Sequence, residues 1–131
     1  MPRAAGAGVV FGGVTRDGWP VVLAISPDAK RLRGSVIALV LRCTSGAVFA
    51  DADGFGGLAV GPRGNVHVAG SIPAVTTPAV SMTGGSHAMV GTLNRRRETF
   101  SGRWRLRLNF KLDNGQINHC DSGWVGFSAR L

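Results

Sequence analysis

Residues 103–112 alternate without a break: Trp104, Leu106, Leu108 and Phe110 share one parity, and Arg103, Arg105, Arg107, Asn109 and Lys111 share the other. A strand sends successive side chains to opposite faces, so this segment lays an apolar face on a core and keeps a basic face in water. Asp113-Asn114-Gly115 follows at once. Asp, Asn and Gly tolerate positive φ, which tight hairpins require. The stretch is therefore one arm of an antiparallel pair.

The same grammar recurs along the chain. Strands are expected at 9–15 and 19–25 across Arg16-Asp17-Gly18, and at 32–43 after Ser26-Pro27-Asp28-Ala29. Within the third, Val36-Ile37-Ala38-Leu39-Val40-Leu41 has no polar alternation and reads as a central strand buried on both faces. A brief strand at 47–50 runs into a turn at Asp51-Ala52-Asp53-Gly54, and 55–60 and 65–72 form a hairpin across Gly61-Pro62-Arg63-Gly64. The stretch 73–86, with Pro73, Pro78 and little periodicity, reads as a long connection of the kind that is functional or mobile. Strands at 87–93, 116–120 and 124–130 complete the set. The expected fold is all-β, an antiparallel β-sandwich or closed β-barrel of about 8–10 short strands. The 20 glycines and 17% charged residues fit that class and exclude a helical bundle.

At 131 residues the chain suits one domain, expected over 9–131 behind a flexible N-terminus at 1–8. No stretch reaches the roughly 18 apolar residues of a membrane-spanning helix. The formal net charge of +8 favours anionic partners and discourages self-association. Nearly all of it is arginine; Lys30 and Lys111 are the only lysines.

Cys43 and Cys120, the only cysteines, sit in matching contexts: Cys43-Thr44-Ser45-Gly46 and Cys120-Asp121-Ser122-Gly123. Two equivalent strand-end turns set side by side would explain the echo and allow a disulfide. The competing reading is a reduced pair packed as small hydrophobes. A bond would favour a secreted or cell-surface location, the chain then being a mature fragment without its signal peptide; reduced thiols would favour the cytoplasm.

Signals for catalysis and metals are weak. His67, His87, His119 and the cysteines lack metal-ligand spacing, so neither a metal nor a cofactor is expected. Asp51-Ala52-Asp53-Gly54 lacks the later oxygen ligands of a calcium loop. Ser45 and Ser122 lie in Ser-Gly turns and not in a Gly-x-Ser-x-Gly elbow, and Glu98 is the only glutamate. A non-catalytic role is favoured over a small hydrolase-like barrel with its site near 73–86.

Charge offers more. Arg103, Arg105 and Arg107 recur at about 6.5–7 Å along one strand face, a spacing that can follow successive charges on a polyanion. Arg95-Arg96-Arg97, in the preceding turn, is expected to extend the patch. Trp124 falls on the parity opposite Val125, Phe127 and Ala129, which makes it a candidate stacking or anchoring group if exposed; the commoner arrangement packs such a residue under a neighbouring loop. With Trp104 and Phe110 turned away from the arginines, nucleic-acid bases would lack a stacking platform, which places nucleic acid behind an anionic polymer, a carbohydrate or a protein as partner.

Phe11-Gly12-Gly13-Val14-Thr15, Leu41-Arg42-Cys43-Thr44-Ser45-Gly46 and Cys120-Asp121-Ser122-Gly123 resemble a recurrent small β-domain of exported proteins in high-GC bacteria. The resemblance spans about residues 11–130. It implies an exported β-sandwich or barrel of uncharacterised function and supplies no catalytic residues.

Overall fold

The structure, a computed structural model, describes residues 8–131, which form eleven strands and no helix. The strands are β1 (Val9–Thr15), β2 (Pro20–Ile25), β3 (Arg31–Cys43), β4 (Val48–Asp53), β5 (Gly56–Ala59) and β6 (Asn65–Ile72). They continue as β7 (Val75–Thr76), β8 (Ser81–Asn94), β9 (Thr99–Lys111), β10 (Ile117–Asp121) and β11 (Val125–Arg130). The flexible N-terminus expected at 1–8 lies, apart from Gly8, outside the described residues.

All pairings are antiparallel, and six strands close a barrel in the order β10-β3-β2-β1-β11-β9, with β10 also paired to β9. Barrel and sandwich are thus resolved in favour of a barrel that carries flanges. β3 and β9 each run 13 residues and use both edges. The second edge of β3 takes β4 and β5, and that of β9 takes β8, which in turn carries β6 and β7.

Alternation decides the core. Trp104 and Phe100 of β9, Leu23 of β2, and Ile37, Leu39 and Leu41 of β3 are sealed inside. Val125, Phe127 and Ala129 also point inward, as their parity requires. The expectation that 36–41 is buried on both faces is corrected: Val36 is 57% exposed and Val40 half-buried. Among the described residues no second layer covers the outer face of β3, and an unbroken apolar run cannot reveal that from sequence.

Three further expectations change. Residues 55–60 and 65–72 do not form a hairpin with each other, because β5 pairs with β3 and β6 with β8. The stretch 73–86 is no loose connection, because β7 pairs with the start of β8 around a tight turn in which the Thr77 and Val80 amides and carbonyls bond each other. Asp51-Ala52-Asp53 continues β4, paired with Leu39, Ala38 and Ile37, and the chain turns only at Gly54.

The seam between β10 and β3 is short: Cys120 faces Cys43 and Asp121 faces Arg42. A disulfide joins the two cysteines there. Asn118 adds side-chain contacts, its Oδ1 accepting from Thr44 Oγ1 at 3.1 Å and from the Ser45 amide at 3.0 Å. The two Cys-x-Ser-Gly turns do contain left-handed glycines, Gly46 and Gly123. They leave the antiparallel seam in opposite directions and are not side by side. The first makes the β3–β4 hairpin, while the second breaks the line between β10 and β11, which lie end to end on one edge of β9.

The bond closes a loop of 77 residues in sequence separation. Confining such a loop in the unfolded chain contributes roughly 4–5 kcal/mol on the entropy model. Cys43→Ala/Cys120→Ala should lower unfolding free energy by about 4 kcal/mol in urea titration.

Candidate ligand-binding trough

The outer face of β9 is built in rows set by strand register. Arg103 lies between Gly126 and Val90, and Val90 faces His67. Arg105 is beside Ala88, which faces Ala69; Trp124 stands one step beyond the Val125–Trp104 pair, on the other side of Arg105. Arg107 lies between Asp121 and Ser86, and Ser86 faces Ser71. Long basic and aromatic side chains therefore rise from β9 and its β10–β11 edge beside small residues on β8 and β6.

That contrast in height makes a trough. One depression of about 220 Å³ is lined by Trp124, Arg105, Arg107, Ala69, Ala88 and Ser86, together with Gly70 and His87. A second, of about 520 Å³, shares Ser86 and Arg107 and continues past Asn109 and Asp121 to His119. Between Arg105 and Asn109 the strand rises about 13 Å, so the trough can hold several units of an extended polymer.

Its electrostatics are partly neutralised. Arg105 donates from Nε and Nη2 to Asp121 at 3.0 and 2.6 Å, and Arg107 Nε lies 3.5 Å from the same carboxylate. The Arg105 hydrogen bonds, helped by the Gly123 amide, hold Asp121 below the usual carboxylate range. Asp121 reciprocally raises Arg105. Arg103 takes a different partner, its Cζ lying 5.2 Å from the Trp124 ring centroid. At the far end His119 Nδ1 is 2.7 Å from Asn109 Oδ1.

The structure thus gathers Arg103, Arg105, Arg107 and Trp124 on one face. It separates Arg95-Arg96-Arg97, which the sequence suggested would extend the patch. Those three lie in the exposed β8–β9 turn, and Arg95 lines a different depression at the barrel end with Glu98, Val9, Phe11 and Ile25. Trp124 alters the stacking argument as well, because it borders the basic face that sequence parity had left without an aromatic.

Sequence reasoning missed the polar cluster beneath the trough. Asp53, at the end of β4, reaches across the interior so that His87 Nδ1 lies 2.9 and 2.8 Å from its two oxygens. The Trp104 indole donates to it at 2.7 Å. Phe55 stacks on His87 at 3.9 Å between centroids, and Ser35 Oγ holds the Phe55 backbone. Nδ1 is the ring nitrogen turned to the Asp53 carboxylate. Nε2 lies toward Gly70, 3.4 Å from where a Cβ would stand. The missed signal was parity: Asp53 shares its face with Phe49 and Asp51, whose partners Leu41 and Leu39 point inward. His67 and His119 remain exposed on the outer face. Among the described residues no three His, Cys, Asp or Glu side chains group to hold a metal ion.

No family model matches this chain, and neither a curated protein nor a solved structure does. The site is therefore read from its own chemistry.

Two outcomes follow from this geometry. Asp53→Ala strands a half-buried imidazole and a buried indole N–H, and should cost about 3 kcal/mol in chemical denaturation. Asp121 has a lowered value in the fold, so its contribution is present above the unfolded value of about 3.9 and is lost as pH falls through the folded one. The carboxylate is 39% exposed, which limits the loss to about 1 kcal/mol. In a carbon-13 carboxyl titration, Arg105→Gln should raise the Asp121 midpoint.

Proposed function

We propose that this chain is a non-catalytic binding module of an exported or surface-located protein, and that it takes an anionic carbohydrate polymer along the trough from Trp124 to His119. The observation that carries this reading is an exposed indole at one end of an elongated depression walled by Arg105 and Arg107. An indole face stacks on the apolar face of a sugar ring. Guanidinium forks suit carboxylate, sulfate or phosphate substituents. Asp121 engages two of the five N–H groups of Arg105 and orients the rest. The low floor of Ala69, Ala88 and Ser86 lets a chain of rings lie close to the sheet. The Cys43–Cys120 disulfide suits an oxidising compartment. No helix among the described residues is long and apolar enough to cross a membrane.

A second reading is a hydrolase-like barrel, favoured by the Asp53–His87 pair, in which the carboxylate orients an imidazole that also lines the trough. It would require turnover of a substrate that His87→Gln abolishes without loss of fold.

Retention on immobilised heparin, with uncharged dextran as control, tests the leading reading. Trp124→Ala should weaken binding at least tenfold, and Arg103→Gln/Arg107→Gln should lower the salt slope by just under two. Unchanged retention in both variants would contradict it. Preferential capture by single-stranded oligonucleotides, with Trp124 as the stacking group, would transfer the trough to nucleic acid.

A further inference from the structure

A cavity of about 140 Å³ opens at the end of the barrel where β1 starts and β2 and β8 finish, and it shares no residue with the trough. Phe11, Ile25 and Leu93, core residues exposed by 5% or less, line it together with half-buried Val9. Two turns wall it: 26–29 between β2 and β3, and 95–98 between β8 and β9.

Both turns carry strained backbone. Among the described residues Ala29 (φ 61°) and Glu98 (φ 54°) are the two non-glycine residues with positive φ, and both line this cavity. The left-handed region crowds the Cβ of an L-residue and is ordinarily left to glycine. Elsewhere the chain obeys that constraint. In five turns a residue of positive φ donates its amide to the carbonyl three residues before it. Four of these residues are Gly18, Gly46, Gly64 and Gly115; the fifth, at the cavity, is Ala29, whose side chain packs on the core. Glu98 is fixed through its carbonyl, which accepts from the Leu131 amide at 3.1 Å. Strain of this kind gathers at ligand-binding sites, where the surroundings over-determine it.

The polar side chains of the cavity differ in what they have left to offer. Ser26 is committed to its own turn, its hydroxyl donating to Asp28 at 2.6 Å and accepting from the Arg31 amide at 3.0 Å. The Arg95 guanidinium and the Glu98 carboxylate have no side-chain partner among the described residues. One cation and one anion thus stand, three residues apart in one turn, beside an apolar recess.

We infer that this cavity binds a free apolar α-amino acid as its zwitterion, with the side chain against Phe11, Ile25 and Leu93, the carboxylate on Arg95 and the ammonium on Glu98. A guanidinium fork suits a carboxylate. A zwitterion satisfies both groups at once, whereas an acid alone would set its charge beside Glu98 and an amine alone beside Arg95. The small volume admits one compact ligand and excludes a polymer. A ligand of so few atoms with its charges at an exposed rim binds in the millimolar range.

Proton–nitrogen correlation spectra of the full chain, titrated with L-leucine, test this. The analogues 4-methylpentanoate and 3-methylbutylamine each lack one of its charges. The expected result is saturating shifts at Phe11, Ile25, Leu93 and Glu98 with L-leucine, and at least about fivefold weaker binding of each analogue. Arg95→Gln and Glu98→Gly should each weaken L-leucine binding by at least about fivefold. Glu98→Gly also relieves the left-handed strain, so its melting temperature should not fall, which separates loss of the carboxylate from loss of the fold. No shift at the cavity up to about 50 mM L-leucine would overturn the inference, as would binding unchanged in both variants. Equal or tighter binding of either analogue would overturn it in favour of a ligand with a single charge.

Discussion

β10 is the strand on which the rest of this structure depends. It is five residues long, yet it joins β9 to β3 and so turns an open sheet into a barrel. Its ladder to β3 is too short to hold by backbone pairing alone, and the Cys43–Cys120 bond and the Asn118 clasp on the 43–45 turn supply the difference. The same strand furnishes the trough. Asp121 fixes Arg105 and Arg107, and His119 stands at the far end. Closure of the fold and arrangement of the outer face are thus one feature.

On the opposite side, β4 and the β8–β6 flange are tied by side chains. Asp53 there accepts from His87 and Trp104, with Phe55 stacked on the imidazole. A carboxylate so far removed from solvent is tolerated because His87 and Trp104 each bring a donor. The molecule is therefore clasped by a covalent bond at one seam and a polar cluster at the other.

The legible parts were those governed by parity. The alternation at 103–112 correctly turned Trp104, Leu106 and Leu108 inward, and the strand-end cysteines proved to be register neighbours. Runs without polar residues were not legible, because Val36-Ile37-Ala38-Leu39-Val40-Leu41 looks the same whether one face or both are covered. The Asp51-Ala52-Asp53-Gly54 sequence has turn composition, but pairing with β3 overrides it and carries Asp53 into the interior. The trough was half legible. Arg103, Arg105 and Arg107 follow from spacing, whereas their link to Asp121 and the small-residue floor on β8 and β6 arise from register between segments distant in sequence.

Native-state hydrogen exchange on the oxidised protein and on Cys43→Ala/Cys120→Ala tests the role of β10 most directly. The account predicts that removing the bond accelerates exchange chiefly in β10 and at Thr44 and Ser45, while the amides shared by β1 and β2 keep their relative protection. A uniform loss of protection across all strands, or no change in β10, would contradict it.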